Sequence, residues 1–336
     1  MEYYGYGRVI RGVGGLFSVW MLDFSSALRR ELDPAGVDAA MPLDGMLVCA
    51  RGRGHLRQKG SLLVGDLVRV SYNDSSFSLS NGCVTPSADG TAIVIEEICP
   101  RSCALIRPPM ANLNVLFVTV AAASPDPVLQ TVDKLLSIAE HNAIEPVVVV
   151  TKSDLNPAYA EQLVALYKKA GFEAFCQGAE RDTEQLMTYI NTSLNGKIAA
   201  FSGASGVGKS TLLNRLFPKL ALETGEISRR IERGKNTTRR VELFRLSEDP
   251  NSGFLADTPG FTMLDFERFD FFEREDLPAT FREFAPYIGS CKYTKCSHTK
   301  EQGCAVIEAV KRGEIARSRH QSFAELFEVL KKKTKW

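Results

Sequence analysis

The feature that most constrains this 336-residue chain is a run of nine residues, GASGVGKST. The run fits the pattern Gly-x-x-x-x-Gly-Lys-[Ser/Thr], in which glycines let backbone N–H groups curl around phosphate groups. An apolar stretch precedes it and leucines at helical spacing follow it, as expected for a strand, a loop and a helix start. We therefore predict a phosphate-binding loop made of Gly203, Ala204, Ser205, Gly206, Val207, Gly208, Lys209, Ser210 and Thr211.

Two side chains of this loop have predicted roles in chemistry. Lys209 would neutralise the β- and γ-phosphates of a nucleotide, and the Ser210 hydroxyl would ligate Mg²⁺. The helix N-terminus that follows the glycines adds positive potential. An ordinary Gly-rich turn between a strand and a helix is the alternative interpretation.

Composition sets the broad class. With 44% hydrophobic and 24% charged residues, the chain is globular and large enough for two or three domains. A formal net charge of +1 gives weak overall attraction to nucleic acid, so any such attraction requires local patches. No signal pattern or long apolar run is present, so we expect a cytoplasmic protein with no membrane contact. Eight cysteines then indicate metal binding or buried thiols rather than disulfides.

Residues 1–108 predict a small all-β barrel of the OB type, with no long helix. The predicted strands lie in Arg8–Trp20, Met46–His55, Leu62–Tyr72 and Thr91–Ile98. Basic side chains at every second position predict a positive stripe along one strand face, at Arg51, Arg53, His55, Arg57 and Lys59. Such a stripe on a barrel favours RNA binding. A solvated strand face is the alternative.

Residues 109–268 alternate apolar strands with helices, which predicts a doubly wound α/β domain. Strands are predicted at Asn114–Ala123 and Pro146–Val150, and a helix at Val128–His141. Asn156 followed by Pro157 predicts the start of another helix. Ligands of such domains lie at the carboxyl ends of the strands, where the phosphate-binding loop also falls.

The residues Thr151, Lys152, Ser153 and Asp154 follow one of these strands and resemble the Asn-Lys-x-Asp box that reads guanine. The Asp154 carboxylate could accept hydrogen bonds from the guanine N1–H and exocyclic amine. Adenine would leave that carboxylate unpaired, at a cost of about 1–3 kcal/mol. Threonine in place of asparagine weakens the match, and a simple loop is the alternative.

Two further segments have predicted roles around a nucleotide. Asp257 ends a strand as Asp-x-x-Gly, where it could hold Mg²⁺ through a water while the Gly260 N–H senses the γ-phosphate. A basic stretch at 227–240 contains Thr237 and Thr238, either of which could close over Mg²⁺. This stretch could also meet RNA phosphates or be a disordered surface loop. The base-reading box precedes the phosphate-binding loop, the reverse of ordinary GTPases.

Residues 269–336 hold four clustered soft ligands with the spacing Cys-x₄-Cys-x-His-x₅-Cys. A full tetrahedral set predicts one structural Zn²⁺, although buried thiols are the alternative. Helices are predicted at Pro278–Tyr287, Cys304–Lys311 and Phe323–Lys333. The ligands are Cys291, Cys296, His298 and Cys304.

Taken together, the chain resembles the circularly permuted small-ribosomal-subunit biogenesis GTPases of the RsgA (YjeQ/YloQ) family. The resemblance rests on the segments Thr151–Asp154, Gly203–Thr211, Gly234–Thr238 and Asp257–Gly260, with the zinc ligands after them. It implies three parts: an RNA-binding barrel, a permuted P-loop GTPase domain and a helical zinc domain. It also implies a GTPase, expected to be a monomer, that binds the small ribosomal subunit and its rRNA late in maturation and is stimulated by it.

The sequence departs from familiar GTPases at the water-orienting position. Phe261 stands where Ras-like enzymes have glutamine, and Asn236 stands where the family commonly has a histidine before the paired threonines. Asparagine can hydrogen-bond water but does not titrate near neutral pH. We therefore expect slow intrinsic hydrolysis of GTP to GDP. The alternatives are an ATP-dependent P-loop enzyme and a zinc-containing RNA-binding protein with a purely structural nucleotide site. The predicted catalytic residues are Lys209, Asn236, Thr237, Thr238, Asp257 and Gly260.

Overall fold

The computed structural model describes residues 2–23, 25–32, 41–57, 61–80, 83–86, 93–106, 108–178, 183–218, 241–257 and 273–332. These residues form two compact units. One unit holds the described parts of 1–114, 189–200 and 231–259, and the other holds those of 115–188, 201–230 and 260–336. These two units are groups of residues that pack together, and they do not test the three domains predicted from the sequence. Those three domains therefore stay a prediction.

The N-terminal strands close into a five-stranded barrel, with strand order β1-β2-β3-β7-β4 and β1 pairing with β4. Alternate side chains point inward, and Val9, Val19, Val70 and Ile95 are fully buried. A small barrel is therefore confirmed. The strands of this region are Glu2–Val13 (β1), Leu16–Met21 (β2), Leu47–Gly52 (β3), Leu67–Asn73 (β4), Phe77–Ser80 (β5), Cys83–Pro86 (β6), Ile93–Ile98 (β7), Ala104–Ile106 (β8) and Pro109–Ala111 (β9).

The barrel region differs from the sequence prediction in two places, its first predicted strand and its basic side chains. Arg8–Trp20 is not one strand, because Gly14 and Gly15 adopt positive φ and turn β1 back into β2. A short helix, Ala27–Leu32 (α1), also lies in this region.

The predicted basic stripe is wrong. Strand β3 ends at Gly52 and a 3₁₀ helix spans Gly54–Arg57, so the two-residue alternation stops there. Arg53 forms an ion pair of 2.6 Å with Glu96. Lys59 lies outside the described residues.

The next strands build a six-stranded sheet with the order β12-β11-β10-β13-β15-β14. Its parallel pairs include β10 with β11, β11 with β12, and β13 with β15, whereas β14 is antiparallel to β15. Strand β13 is buried along its whole length, as the apolar run before the phosphate-binding loop predicts. These strands are Leu113–Ala121 (β10), Glu145–Thr151 (β11), Glu173–Cys176 (β12), Ile198–Ser202 (β13), Glu242–Arg245 (β14) and Phe254–Asp257 (β15).

Three of the helices between these strands agree closely with the predictions, whereas the helix Glu184–Ser193 was not predicted. Asn156 caps the third helix, since its side-chain oxygen accepts a hydrogen bond from the Tyr159 N–H at 3.2 Å. The alternation of strands and helices confirms the α/β class. The helices are Leu129–His141 (α2), Pro157–Lys169 (α3), Glu184–Ser193 (α4) and Lys209–Leu216 (α5).

The C-terminal region contains the helices Ala305–Lys311 (α6) and Arg317–Lys332 (α7). The single helix predicted at Pro278–Tyr287 is instead two 3₁₀ helices, Leu277–Thr280 and Arg282–Phe284. Between them Phe281 is extended, which lets both Phe281 and Phe284 pack on Phe323, with ring centroids 5.2 and 4.9 Å away. Within the described ranges no helix is both long and apolar enough to span a membrane.

Candidate functional site

The phosphate-binding loop joins β13, which ends at Ser202, to α5, which begins at Lys209. Its backbone conformation requires glycine at three positions. Gly203 has φ of 148°, and a Cβ there would lie 2.3 Å from the Thr119 carbonyl oxygen. Gly206 and Gly208 have φ of 78° and 93°, which side-chain-bearing residues rarely adopt. The loop therefore has the exposed backbone curl that phosphate binding requires.

Lys209 is held by its own loop. Its Nζ donates to the carbonyl oxygens of Gly203 and Ala204 at 2.7 and 2.9 Å. Burial lowers the pKa of Lys209. These carbonyls accept hydrogen bonds from the ammonium but carry no net charge, so an anionic phosphate would be a stronger partner. Ser210 follows Lys209 in the first turn of α5.

The predicted base-reading residues are tied directly to the phosphate-binding loop. Thr151 ends β11, and its Oγ1 lies 2.5 Å from the Val207 carbonyl oxygen and 3.2 Å from that of Val120. Lys152 has φ of 52°, and its Nζ donates to the carbonyl oxygens of Ser124 and, at 2.7 Å, of Gly206. The hydroxyl of Thr151, which stands where the box usually has asparagine, thus connects this segment to the phosphate-binding loop.

A cavity of about 280 Å³ lies where these two loops meet. Asp154 and Thr211 both contribute to its wall, so the structure brings the predicted base-reading carboxylate and the end of the phosphate-binding loop to one place. The volume is close to the lower end of the range for small-ligand pockets. The wall consists of Thr151, Lys152, Asp154, Leu155, Gln177, Gly178, Gly208, Thr211, Leu212 and Arg215.

Five residues of this wall are absent from the predicted site, namely Leu155, Gln177, Gly178, Leu212 and Arg215. Gln177 and Gly178 follow β12, and the Gln177 carbonyl accepts a hydrogen bond from the Ser153 N–H at 3.1 Å. Arg215 of α5 donates from Nη1 to the Gly178 carbonyl oxygen at 2.6 Å. A Cβ on Gly178 would lie 2.6 Å from the Ser153 Oγ, so the fit here is close. For Gln177 and Gly178 the only sequence signal was their position directly after a parallel strand.

Several predicted catalytic residues fall where the structure gives no side-chain description. Asp257 is the last residue of β15, and only its backbone is described. Because β13 and β15 are parallel, their carboxyl ends lie at the same edge of the sheet. Asn236, Thr237, Thr238 and Gly260 lie outside the described residues, as does Phe261.

The four predicted zinc ligands come together in space. The ligand atoms of Cys291, Cys296, His298 and Cys304 all lie within 4.8 Å of one another. The Cys291 and Cys304 sulfurs are 3.9 Å apart, and the Cys304 sulfur is 3.4 Å from the His298 Nδ1. A tetrahedral ion with bonds of about 2.3 Å to sulfur places two sulfurs about 3.8 Å apart. The cluster therefore fits one four-coordinate metal ion with no open position.

Hydrogen bonds around the cluster fix its ligands. The Ala305 N–H donates to the Cys291 sulfur at 3.3 Å, and the His320 Nε2 lies 2.7 Å from the His298 carbonyl oxygen. Burial alone would raise the pKa of Glu301, but hydrogen bonds from Ser297 and from backbone amides hold it at about 2. Its fixed negative charge favours a cation nearby.

Comparison with known proteins gives a consistent result. The sequence profile described as RsgA GTPase matches residues 98–267. A protein of Alkaliphilus metalliredigens (strain QYMF) named small ribosomal subunit biogenesis GTPase RsgA is 37% identical over 288 residues, covering 85% of this chain and 91% of that protein. A protein of the same name from Caldanaerobacter subterraneus subsp. tengcongensis is 34% identical over 331 residues, covering 98% and 97%.

Solved structures are similar over almost the whole chain. The crystal structure of YloQ, described as a circularly permuted GTPase, has a TM-score of 0.70 at 27% identity and covers 99% of this chain and 97% of that one. The crystal structure of YjeQ from Thermotoga maritima has a TM-score of 0.73 at 26% identity and covers 99% and 100%. The likeness therefore includes the barrel and the C-terminal region as well as the P-loop domain.

Proposed function

Because the chain belongs to the RsgA family of GTPases, we propose that it hydrolyses GTP to GDP and phosphate while assisting late maturation of the small ribosomal subunit. The observation that carries the nucleotide assignment is the single cavity lined by both Asp154 and the end of the phosphate-binding loop. An ATP-dependent enzyme would have no use for a carboxylate at that position.

In this proposal Asp154 accepts hydrogen bonds from the guanine N1–H and exocyclic amine, and the Lys152 stem lies along the base. The backbone N–H groups of the phosphate-binding loop and the N-terminus of α5 hold the phosphates. Lys209 exchanges its two carbonyl partners for the β- and γ-phosphates. The protein thereby positions the γ-phosphate and stabilises its charge, which is the main requirement of phosphoryl transfer.

We assign the Mg²⁺ that accompanies GTP to the Ser210 hydroxyl and to Asp257, in line with the sequence pattern. The ion would neutralise charge on the β- and γ-phosphates. Thr237 or Thr238 would close over the nucleotide, the Gly260 N–H would contact the γ-phosphate, and Asn236 would hydrogen-bond the attacking water. These four residues make the site sensitive to whether GTP or GDP is bound.

The metal of the C-terminal cluster is proposed to be one structural Zn²⁺, because three thiolates and an imidazole are its preferred donors. The barrel and this zinc region are proposed to contact ribosomal RNA. The protein would act as a monomer, in the cytoplasm where ribosomal subunits mature.

Nucleotide binding and turnover test this proposal. Wild-type protein should bind GTP and GDP more tightly than ATP and should turn over GTP repeatedly, faster with small ribosomal subunits present. Lys209→Ala should abolish turnover. Equal affinity for ATP would favour an ATP-dependent enzyme. Binding without turnover, even with subunits, would favour an RNA-binding protein whose nucleotide is structural.

Co-sedimentation tests the ribosomal role separately. Binding to small subunits should be strong with GTP or a non-hydrolysable analogue and weaker with GDP. Absence of co-sedimentation in all three nucleotide states would contradict the ribosomal role while leaving the GTPase assignment intact.

A further inference from the structure

A second cavity, of about 380 Å³, lies within the unit that contains the barrel. Its wall includes Arg8 of β1, Trp20 of β2, Lys197 just before β13, Arg245 of β14 and Phe254 at the start of β15. The volume lies inside the range of small-ligand sites. The predicted base-reading and phosphate-binding residues contribute nothing to this wall, so the cavity is separate from the GTP site.

Arg8 gives this cavity a buried positive charge. Its side chain is only 2% exposed, and its Nη1 and Nη2 donate to the carbonyl oxygens of Gly65 and Gly196 at 3.0 and 2.9 Å. Its Nε has no hydrogen-bond partner in the described part of the chain. The nearby Asp66 is already paired with Arg101, whose Nε and Nη2 donate to it at 2.6 and 2.8 Å.

Among the residues that the structure describes, Arg8 therefore forms no ion pair, and its charge is balanced only in part, by the electrostatic effect of Asp66. Burial lowers the pKa of Arg8 to about 10, a fall that Asp66 partly offsets, so the guanidinium stays charged at neutral pH. Carbonyl groups satisfy its hydrogen bonds but carry no net charge. A buried cation that is only partly balanced is costly, and an anionic ligand would lower that cost.

The rest of the wall strengthens the positive field. Lys197 is exposed, and Arg245 lies over the Trp20 ring with 4.2 Å between the guanidinium carbon and the ring centroid. Glu31 is the one acidic residue in the wall of this cavity, set against the three cations Arg8, Lys197 and Arg245. Glu248 and Asp249 do not line the wall, but both interact electrostatically with Arg245. The whole chain has a formal charge of only +1, so this concentration of positive charge is local.

We propose that this cavity binds a small ligand bearing phosphate groups. Three cations against one carboxylate suit a multiply charged anion, and guanidinium groups match phosphate oxygens in geometry as well as charge. The wall joins barrel strand β1 to the residues that immediately precede β13 and begin β15. An occupant would therefore link the barrel to the strands that lead to the phosphate-binding loop and to Asp257.

Equilibrium dialysis of labelled pyrophosphate against the full-length protein tests this, with saturating GDP filling the guanine site. We expect one pyrophosphate per chain. Lys197→Gln and Arg245→Gln should each weaken binding about 10- to 100-fold, the effect of losing one charge-assisted hydrogen bond. Arg11→Gln is the matched control, because Arg11 lies on the same strand as Arg8, is exposed and pairs with Glu242 outside the cavity.

Labelled ADP in a parallel experiment identifies the source of the phosphate. Binding of both probes with the same variant pattern points to a nucleoside phosphate, and binding of pyrophosphate alone points to free phosphates. Arg8→Lys, which keeps the charge, should retain binding more fully than Arg8→Met, with circular dichroism melts to check folding. Lack of saturable binding at millimolar pyrophosphate, or an equal loss in the Arg11→Gln control, would overturn the proposal.

Discussion

At the scale of single residues, Thr151 shows how the structure accommodates a threonine where the Asn-Lys-x-Asp box usually has asparagine. The residue is 4% exposed, and its hydroxyl reaches the Val207 carbonyl of the phosphate-binding loop. A hydroxyl has one hydrogen, so it donates to Val207 or to Val120 but not to both at once. Either bond connects the base-reading loop to a neighbouring segment. The Thr151 hydroxyl thus braces the loop, and in the proposed function Asp154 reads the base.

Asp154→Asn should weaken GTP affinity about 10- to 100-fold, because an amide cannot accept both guanine hydrogen bonds. ATP affinity should change little, so the guanine preference falls by the same factor. Titration with fluorescent nucleotides measures both constants. Glu161→Gln, at an exposed position of α3, is the control and should bind like wild type. A parallel loss of GTP and ATP affinity would mean that Asp154 supports the fold rather than reads the base.

Arg215→Met should weaken GTP and GDP binding about three- to tenfold, since it removes the donor that holds the Gly178 carbonyl. The loss should be equal for GTP and GDP, because the Gln177–Gly178 segment lines the same cavity as Asp154, the residue proposed to bind the guanine base that both nucleotides share. Arg215→Lys keeps the positive charge but loses the several N–H donors of the guanidinium, so its affinity for GTP and GDP should be intermediate. A loss confined to GTP would show instead that Arg215 acts at the γ-phosphate.

At the scale of elements, helix α7 is anchored without help from the metal. Arg319 is 1% exposed, and it donates from Nη1 to Asp133 at 2.5 Å and from Nε to Glu283 at 2.7 Å. Its guanidinium also lies over the Phe281 ring, 4.4 Å from the centroid. Within the described residues 291–304 only His298 and Cys304 are buried, so the loop of the Cys/His cluster has few apolar contacts of its own. We therefore expect the metal to order that loop and the arginine network to hold the helix.

The purified protein should contain one zinc ion per chain by elemental analysis, and Cys291→Ala should remove it. Chelation should raise hydrogen exchange in residues 291–304 while α7 stays protected, because Phe323 and Arg319 remain packed. Cys49→Ser, which changes an exposed thiol outside the cluster, is the control and should keep its zinc. Unchanged exchange in the metal-free loop would show that the metal is not structural.

At the scale of the whole molecule, the strand order explains how a permuted chain keeps its site. The phosphate-loop strand β13 lies between β10, which comes earlier in the chain, and β15, which comes later. The base-reading loop follows β11, two places from β13 in the sheet. Loops can share a ligand when the strands that they follow lie close together in the sheet, whatever the order of those strands along the chain.

The isolated protein should hydrolyse GTP at about 10⁻³ to 10⁻⁴ s⁻¹, the range of an unassisted GTPase. The reason is that Phe261 cannot orient water and Asn236 cannot act as a base near neutral pH. Small ribosomal subunits should raise this rate, and single-turnover assays with and without subunits measure the difference. A rate of about 1 s⁻¹ or faster without subunits would show that the chain already orients the water by itself.

The sequence alone determined the features that neighbouring residues encode. These are the phosphate-binding loop, the Asn156 cap, the buried strands β11 and β13, and the Cys/His cluster. Each depends on spacing within a few turns or on a continuous apolar run, so local pattern is enough.

Only the tertiary structure decided what depends on residues far apart in the chain. The Thr151 hydroxyl meets Val207, Arg215 supports Gly178, and Arg8 contacts Gly196. The predicted basic stripe was wrong for the same reason, because strand pairing decides where β3 ends and alternation alone does not. The burial of each side chain and the identity of its hydrogen-bond partners depend on the packing of the whole chain. This packing decides whether a given residue carries a buried charge, supports a neighbouring loop or lines a cavity.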